Sequence, residues 1–279
     1  MLGASTQRAP VNLGKLVGRW QFSGSVRVNA LRRQIEKMGT SSNGLLRAGY
    51  RGIKALGVMR RFVVSPRNRS QTLTGLNYRD QHLQLDTYSC DDRYPELFDH
   101  CRQYFADCPR PRILSFGCST GEEVFTLARY LPRAEILGVD LNPWCLKQCE
   151  KKTRSSQLSF VHSLSPEFAD AKDFDAIFCM AVFQRTEHRT DYALPDDTGF
   201  TFERFEAEVA MLDRKLKPGG LIFLDEYDFT FENTESAARY KPGEFDGNRQ
   251  LRQRPLFDRE NRLVSTEHVA VRCFIKQSE

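Results

Sequence analysis

Short apolar runs alternate with amphipathic stretches across the middle and end of this chain. "RILSF" (112–116) predicts a strand and residues 122–131 a helix, followed by a second strand at "EILGVD" (135–140). "PWCLKQCEKK" (143–152) predicts a helix with proline in its first turn. "LSFVH" (158–162) and "FDAIFCMAVF" (174–183) predict the third and fourth strands. A helix over 201–216 leads through the turn "KPGG" into a fifth strand, "GLIFLDEY" (220–227). "HVAVRCFIK" (268–276) alternates as an antiparallel strand does. Strands separated by helices predict an α/β, doubly wound, mostly parallel sheet that binds ligands at the carboxyl ends of its strands.

The first 80 residues read differently. Residues 1–24 are rich in Gly, Ser and Arg and weakly patterned, which predicts disorder. Over 25–38, Val28, Leu31, Ile35 and Met38 share one helical face; over 45–61, Leu45, Ala48, Ile53, Leu56 and Met59 do the same. Arg47, Arg51, Lys54 and Arg61 gather on another side of that second helix, and Gly49, Gly52 and Gly57 weaken it. Residues 1–80 carry fifteen Lys and Arg against Glu36 and Asp80, whereas the rest carries 26 basic and 34 acidic residues. A basic helical extension (1–80) therefore precedes an acidic α/β domain (81–279), and the two meet different partners. Four readings of the extension stay open. Its apolar stripe packs on the domain, or residues 25–69 attach to an anionic membrane surface, or they contact RNA or another acidic partner, or the arginine-rich start is an organelle transit peptide.

Composition narrows the class of protein. With 40% hydrophobic and 28% charged residues, the chain has material for an ordinary globular core. No uninterrupted apolar run approaches the ~18 residues that a membrane-spanning helix needs. The eight cysteines show no CxxC and no framework spacing, so they read as reduced thiols of a cytoplasmic compartment, compatible with a peripheral place at a membrane. Five scattered histidines give no metal-ligand spacing.

The chemistry centres on "LSFGCSTGEEVFTLA" (114–128), a glycine loop between the first strand and its helix. A phosphate loop would supply a lysine after its last glycine; here Gly121 is followed by Glu122 and Glu123. Carboxylates suit a helix N-terminus but stand where a phosphate would sit. A dinucleotide fingerprint would read GxGxxG, and this loop reads Gly117-Cys118-Ser119-Thr120-Gly121. An adenosine ligand with a cationic tail fits better, and S-adenosylmethionine carries a sulfonium and an ammonium. Gly117 and Gly121 would let backbone approach it closely. Asp140 ends the second strand, nineteen residues beyond Gly121, where a carboxylate accepts both ribose hydroxyls. Asp140 could instead cap the following helix, a role that Asn142 can fill.

The order "ILSFGCSTGEE", "LGVDLNP", "FDAIFCMAV", "LKPGGLIFL" resembles a class I S-adenosylmethionine-dependent methyltransferase over about residues 90–228. The resemblance implies a Rossmann-like sheet of the class I type, with its last strand antiparallel. "GCSTGEE" and "FDAIFC" are most similar to the chemotaxis-receptor glutamate methyltransferase group. That resemblance implies that Glu123 binds the cofactor, that backbone at Ser163 and Leu164 frames the adenine, and that Met180 and Ala181 sit near the methionine moiety. Cys118, Ser119 and Leu141 complete the implied cofactor set. Two departures stand out: Met180-Ala181 replace that group's Arg-Asn. Ser89 also stands at the place of its cofactor-binding arginine, with Arg93 displaced toward the next helix.

The acceptor is not named by any motif. No [DN]PP[YF] follows the fourth strand and no Pro-Cys nucleophile occurs; Cys179 reads as core. Gln184, His188 and Tyr192 are the polar candidates after the fourth strand, and Glu226 and Asp228 after the fifth. Of these, His188, Tyr192 and Glu226 are the candidates for contact with the reacting atoms. The function expected is methyl transfer to oxygen or nitrogen of an acceptor, a protein carboxylate or a small molecule. The alternatives are a non-catalytic, regulatory binder of the same cofactor, and a membrane- or RNA-associated module built on this fold.

Overall fold

The computed structural model describes residues 37–78, 81–84, 86–184 and 200–278. The weakly patterned start and most of the expected 25–38 helix lie outside the described residues. The chain divides into two units, Met1–Gly75 and Leu76–Glu279.

In the first unit, α1 (Gly44–Val64) runs three residues past the expected 45–61 helix. The Asn43 side chain accepts from Leu45 N at 2.9 Å and opens it. Ser65-Pro66 ends it, because proline cannot donate into a continuing helix. The same pair starts α2 (Pro66–Asn77), where Ser65 O accepts from Arg69 N. The apolar stripe of α1 is exposed: Leu45 84%, Leu56 68%, Met59 65% and Val63 66%.

The second unit is built on one sheet. Its elements in chain order are α3 (Pro95–Tyr104), β1 (Arg112–Phe116), α4 (Glu122–Tyr130), β2 (Glu135–Asp140), α5 (Pro143–Lys152) and β3 (Leu158–His162). α6 (Pro166–Asp170), β4 (Phe174–Met180), α7 (Phe202–Lys215) and β5 (Leu216–Asp225) follow. After β5 come β6 (Tyr240–Pro242), β7 (Arg249–Arg252), β8 (Leu256–Phe257), β9 (Leu263–Ser265), β10 (His268–Val271) and β11 (Cys273–Lys276). The seven-stranded sheet has the order β3-β2-β1-β4-β5-β11-β6. β1 to β5 are mutually parallel, and β11 pairs antiparallel with β5 and with β6. The expected α/β class, mostly parallel order and antiparallel last strand are all present.

Strand order reverses between β1 and β4, so the carboxyl ends of these two strands border the crevice where such sheets bind ligands. Both sheet faces are covered. One buried cluster gathers Phe183, Phe200, Phe205 and Phe229 with Leu114 and Ile222. The other packs α3 and α4 against Ile113, Phe178 and Phe223, the last two rings stacked 4.2 Å apart. Burial on both faces explains why these strands read as continuous apolar runs.

Three expected boundaries move. β4 stops at Met180 rather than residue 183, because Ala181 takes a left-handed φ of 59° and donates its N–H to Asp225 O. β5 begins at Leu216, so "KPGG" is a bulged strand start and not a turn; Gly219 bends it at φ 75°. β5 ends at Asp225, and Glu226 turns out of the strand at φ 51°. The single expected strand 268–276 is two: β10 pairs with β7 in a separate ribbon, and β11 joins the main sheet.

Arg272, 1% exposed, sits at that break. Its Nε donates to Asp225 Oδ2 at 2.9 Å and its Nη1 to Glu96 Oε1 at 2.5 Å. A guanidinium cannot lie in an apolar interior without partners, so the chain switches sheets where Asp225 and Glu96 receive it. Replacing one member of a buried ion pair leaves the other uncompensated. Arg272→Met should therefore lower unfolding stability by ~3 kcal/mol or more, read from urea titration.

Candidate active site

The loop after β1 is shaped by three residues in the left-handed region: Gly117 (φ 81°), Ser119 (φ 49°) and Gly121 (φ 90°). Gly117 N and Cys118 N both donate to Val139 O at the end of β2, and Gly121 N closes the turn onto Cys118 O. Positive φ and close packing both require glycine here: a Cβ at Gly117 would meet Val182 Cγ2, and one at Gly121 would lie 2.7 Å from Phe125 Cε2 and 3.0 Å from Cys149 Sγ.

Under the loop, Cys118 and Cys149 are buried, with Cys149 Sγ 3.3 Å from Ser119 O. A hydrogen bond to Cys149, with burial, pushes the Cys118 thiol well up, and burial does the same to Cys179. Both are packing thiols without nucleophilic character. All eight cysteines are free. Among the described residues no cluster of His, Cys, Asp and Glu could hold a metal.

The two glutamates of "GEE" part company. Glu122 turns outward to Lys152 Nζ (2.8 Å) and Thr120 Oγ1 (2.6 Å). Glu123 turns inward and accepts from Ser115 Oγ of β1 at 2.7 Å. Burial pushes its carboxyl up from the ordinary 4.5 to about 7, against the pull of Ser115 and of the Arg93 charge. Such a carboxyl is poised to receive a cation.

Asp140 stands at the end of β2 with both oxygens engaged by backbone. Oδ2 accepts from Ser119 N at 2.8 Å and Oδ1 from Asn142 N at 2.7 Å. A carboxylate has about four lone-pair sites; backbone at Ser119, Asn142 and Leu141 engages part of that capacity and fixes the group at the strand end. The helix-capping alternative belongs to Asn142, whose side chain accepts from Trp144 N at 3.0 Å.

Beyond β3, Ser163 N donates to Asp140 O at 3.1 Å. His162 fixes the next two positions: its Nε2 lies 3.0 Å from Leu141 O, and its Nδ1 accepts from Leu164 N at 3.2 Å. A carbonyl only accepts and an amide only donates, so in this geometry Nε2 faces an acceptor and Nδ1 a donor. Leu164 is 52% exposed, while Met180 and Ala181 are buried at the end of β4.

A segment from Gln84 to Arg93 crosses this edge of the sheet. The Gln84 side chain donates to Ala181 O, as does Gln184 Nε2 at 2.6 Å. Ser119 Oγ donates to Thr87 O at 3.0 Å. Arg93 Nη2 then reaches Glu226 Oε1 at 2.8 Å, while Arg254 Nη1 lies 3.7 Å from Glu226 Oε2. Asp228 is buried and bound by Arg254 Nη2 at 2.5 Å, which also reaches Gln184 Oε1 at 3.2 Å. Asp228 is thus a buried, paired anion that does not face solvent. His188 and Tyr192 lie outside the described residues.

Loop, Glu123, Asp140, Ser163-Leu164 and Met180-Ala181 therefore line the carboxyl ends of adjacent strands, with Glu226 beside them. Sequence reasoning placed Arg93 away from this edge and missed Arg254 and Tyr94 altogether. Arg254 follows β7 in a ribbon whose pairing no local pattern announces; Tyr94, beside Arg93, carried a signal only in its proximity to the expected arginine.

Glu123 makes stability depend on pH. The folded carboxyl keeps its proton where the unfolded one has lost it, so its contribution falls as pH rises from 4.5 to about 7 and is level above. Glu123→Gln should remove that slope, seen as a urea-midpoint difference between variant and wild type that grows across this window.

Residues 114–222 match a family model described as a methyltransferase domain. The chain is 27% identical over 137 residues to malonyl-[acyl-carrier protein] O-methyltransferase of Priestia megaterium, covering 48% of this chain and 44% of that protein. It is 28% identical over 139 residues to an uncharacterized protein of Synechococcus sp., covering 48% of this chain and 30% of that one. The chain thus spans less than half the length of these curated relatives. Among solved structures it is similar to a SAM-dependent methyltransferase from Thiobacillus denitrificans in complex with S-adenosyl-L-homocysteine (17% identity, 53% of each chain, TM-score 0.34). Another is PKMT2 from Rickettsia typhi in complex with AdoHcy (22% identity, 41% of this chain and 20% of that one, TM-score 0.30). The stretch matched by the family model contains the glycine loop, Glu123 and Asp140, so this part of the chain is similar to a methyltransferase domain.

Proposed function

We propose that the chain transfers a methyl group from S-adenosylmethionine to an oxygen or nitrogen atom of an acceptor. The observation that carries this reading is Asp140: backbone N–H groups of Ser119 and Asn142 fix its two oxygens at the end of β2, where a carboxylate would meet a ribose diol. Around it, backbone at Gly117, Cys118, Ser119 and Gly121 would hold the cofactor from one side and Leu141, Ser163 and Leu164 from the other. Glu123 would receive its ammonium, and Met180 and Ala181 would line its methionine chain. The bound cofactor supplies a methyl group on a positively charged sulfur. The protein's share is to hold the acceptor atom in line and keep water away.

On the acceptor side, Glu226 is the described member of the set, with His188 and Tyr192. The Priestia megaterium relative is named for O-methylation of malonyl-[acyl-carrier protein], which favours an oxygen acceptor here too. Transfer to a receptor glutamate has less behind it, since Met180-Ala181 stand in place of Arg-Asn and the family match is to the general methyltransferase domain. Eight free thiols suit a reducing, cytoplasmic setting.

A second reading concerns α1. Its 21 residues carry no acidic group, and Leu45, Leu56, Met59 and Val63 expose apolar surface beside Arg47, Arg51 and Lys54. That pattern suits an anionic lipid surface. No described helix is long and apolar enough to cross a membrane.

Calorimetry tests the cofactor reading: wild type should bind S-adenosylhomocysteine, and Asp140→Ala should weaken binding by about tenfold to a hundredfold, the worth of one or two hydrogen bonds to a charged group. No binding by wild type sinks the proposal. Turnover of labelled S-adenosylmethionine on cell extract, lost in Asp140→Ala, separates an enzyme from a regulatory binder. For α1, Leu56→Glu with Met59→Glu should abolish retention on phosphatidylserine vesicles; retention equal to wild type rules out the lipid reading.

A further inference from the structure

The turn that follows β4 carries two backbone donors without acceptors. Ala181 enters it at a φ of 59°. That conformation costs a non-glycine residue about 1 to 3 kcal/mol and persists only where neighbours enforce it. Here they do. Ala181 N donates to Asp225 O, and Ala181 O receives the side-chain amides of both Gln84 and Gln184. Gln184 N closes onto Val182 O at 3.0 Å, and Phe183 O receives Asp228 N at 2.8 Å. Every carbonyl from Ala181 to Phe183 is therefore engaged. The N–H groups of Val182 and Phe183 are not: among the described residues neither has a hydrogen-bond partner. The two residues are 6% and 1% exposed, and buried backbone N–H groups left unpaired are rare.

The place of this turn says what the donors serve. It continues β4 at the crevice where strand order reverses, and Val182 Cγ2 packs against Gly117 of the glycine loop. Among the described residues no peptide bond is cis, so each N–H points away from the carbonyl in its own peptide plane. Val182 N–H thus points away from Gln84 and Gln184, and Phe183 N–H away from Gln184 N. The end of β4 has one polarity: its acceptors are filled and two of its donors are open.

An amine or alcohol acceptor must give up a proton and needs an acceptor atom nearby to receive it. Ala181 O, at the strand end, already accepts two hydrogen bonds, which fills its two lone pairs. A carboxylate needs the reverse: donors for its negative oxygens, and no base. Building on the S-adenosylmethionine reading, we propose that the methyl acceptor presents a carboxylate, held by the backbone N–H groups of Val182 and Phe183. One oxygen receives these donors and the other attacks. Its lone pair forms the new O–CH3 bond as the S–CH3 bond breaks, and the electron pair of that bond goes to sulfur. The negative carboxylate and the positive sulfonium become a methyl ester and a thioether, with no proton transferred. Arg93 and Arg254 stay with Glu226 and Asp228, so neutral backbone donors are what single out this acceptor.

The full chain, saturated with methyl-labelled S-adenosylmethionine and given cell extract, reveals the acceptor class before the acceptor is known. Reactions stopped in acid should yield product that releases its label as volatile methanol in mild alkali, as a methyl ester does. Label that survives alkali, as in an N-methyl group or an ether, overturns the proposal. The rate should change by no more than about twofold between pH 7.5 and 9, above the range in which Glu123 titrates, because no proton has to leave. A rise of about tenfold per pH unit, as deprotonation of an amine or phenol would give, overturns it as well. Acetate reads the donors separately, by amide NMR of the chain saturated with S-adenosylhomocysteine. It should move the amide protons of Val182 and Phe183 downfield, and uncharged acetamide of the same shape should not. Shifts at neither residue, or equal shifts with both probes, overturn the proposal. So does a chain that binds S-adenosylhomocysteine but labels nothing in the extract. Failure to bind S-adenosylhomocysteine at all would instead refute the cofactor reading on which the proposal rests.

Discussion

Asp225 is the last residue of β5, is 1% exposed and is gripped by two arginines, Arg252 and Arg272. Much of the edge that bears the candidate site depends on that one buried carboxylate. Arg272 reaches it only because the chain breaks its strand between Val271 and Cys273, sending β10 into the ribbon with β7 and β11 into the main sheet. Arg252 reaches it from β7, so the ribbon is pinned to the sheet edge from both of its strands. The backbone of Asp225 contributes as well: its carbonyl receives Ala181 N, which ends β4 and sets the turn beside the cofactor strands. A charge this deep survives only when its partners are fixed, and here the partners come from segments far apart in sequence.

The influence of that ion cluster extends to the ligand side through α3. Arg272 also holds Glu96 in the first turn of this helix, and Glu96 lies two residues from Tyr94 and three from Arg93. The approach of Arg93 to Glu226, and of its charge to Glu123, thus follows from where Arg272 anchors α3. On the other side of the crevice no ion pair is needed. Loop, Asp140 and Ser163 are tied mostly by hydrogen bonds of backbone groups, with Val139 O, Ser119 N and Asp140 O as the knots and the Asp140 side chain as one partner. One half of the site is therefore rigid by backbone geometry, and the other by paired charges that can exchange partners.

This division also explains what could be read from the sequence. Elements β1 to β3, α4 and α5 came out at or within a residue of their expected limits, because apolar runs, a proline at the first turn and Asn142 as cap are local signals. The positions of Asp140 at a strand end and of Glu123 in the first turn of α4 were legible for the same reason. The limits of β4 and β5 were not, since Ala181 and Glu226 leave their strands through left-handed turns that neither residue type favours. The break at Arg272 was invisible in an alternating run, because its cause is a carboxylate 47 residues earlier. Glycines in the loop were legible as backbone requirements; only packing shows that Val182 and Phe125 also crowd them.

The charges at the mouth of the site carry one further consequence. Arg93 and Arg254 face Glu226 and Asp228, so the local sum is neutral before Glu123 is counted. Glu123 has its carboxyl raised to about 7 by burial, so it adds a negative charge only partly near neutral pH. A cation arriving beside it would favour the ionised form and be held more tightly for that reason, the two effects being linked. A net-neutral network also means that no single arginine is spare: any anion entering here must take a cation from an internal carboxylate.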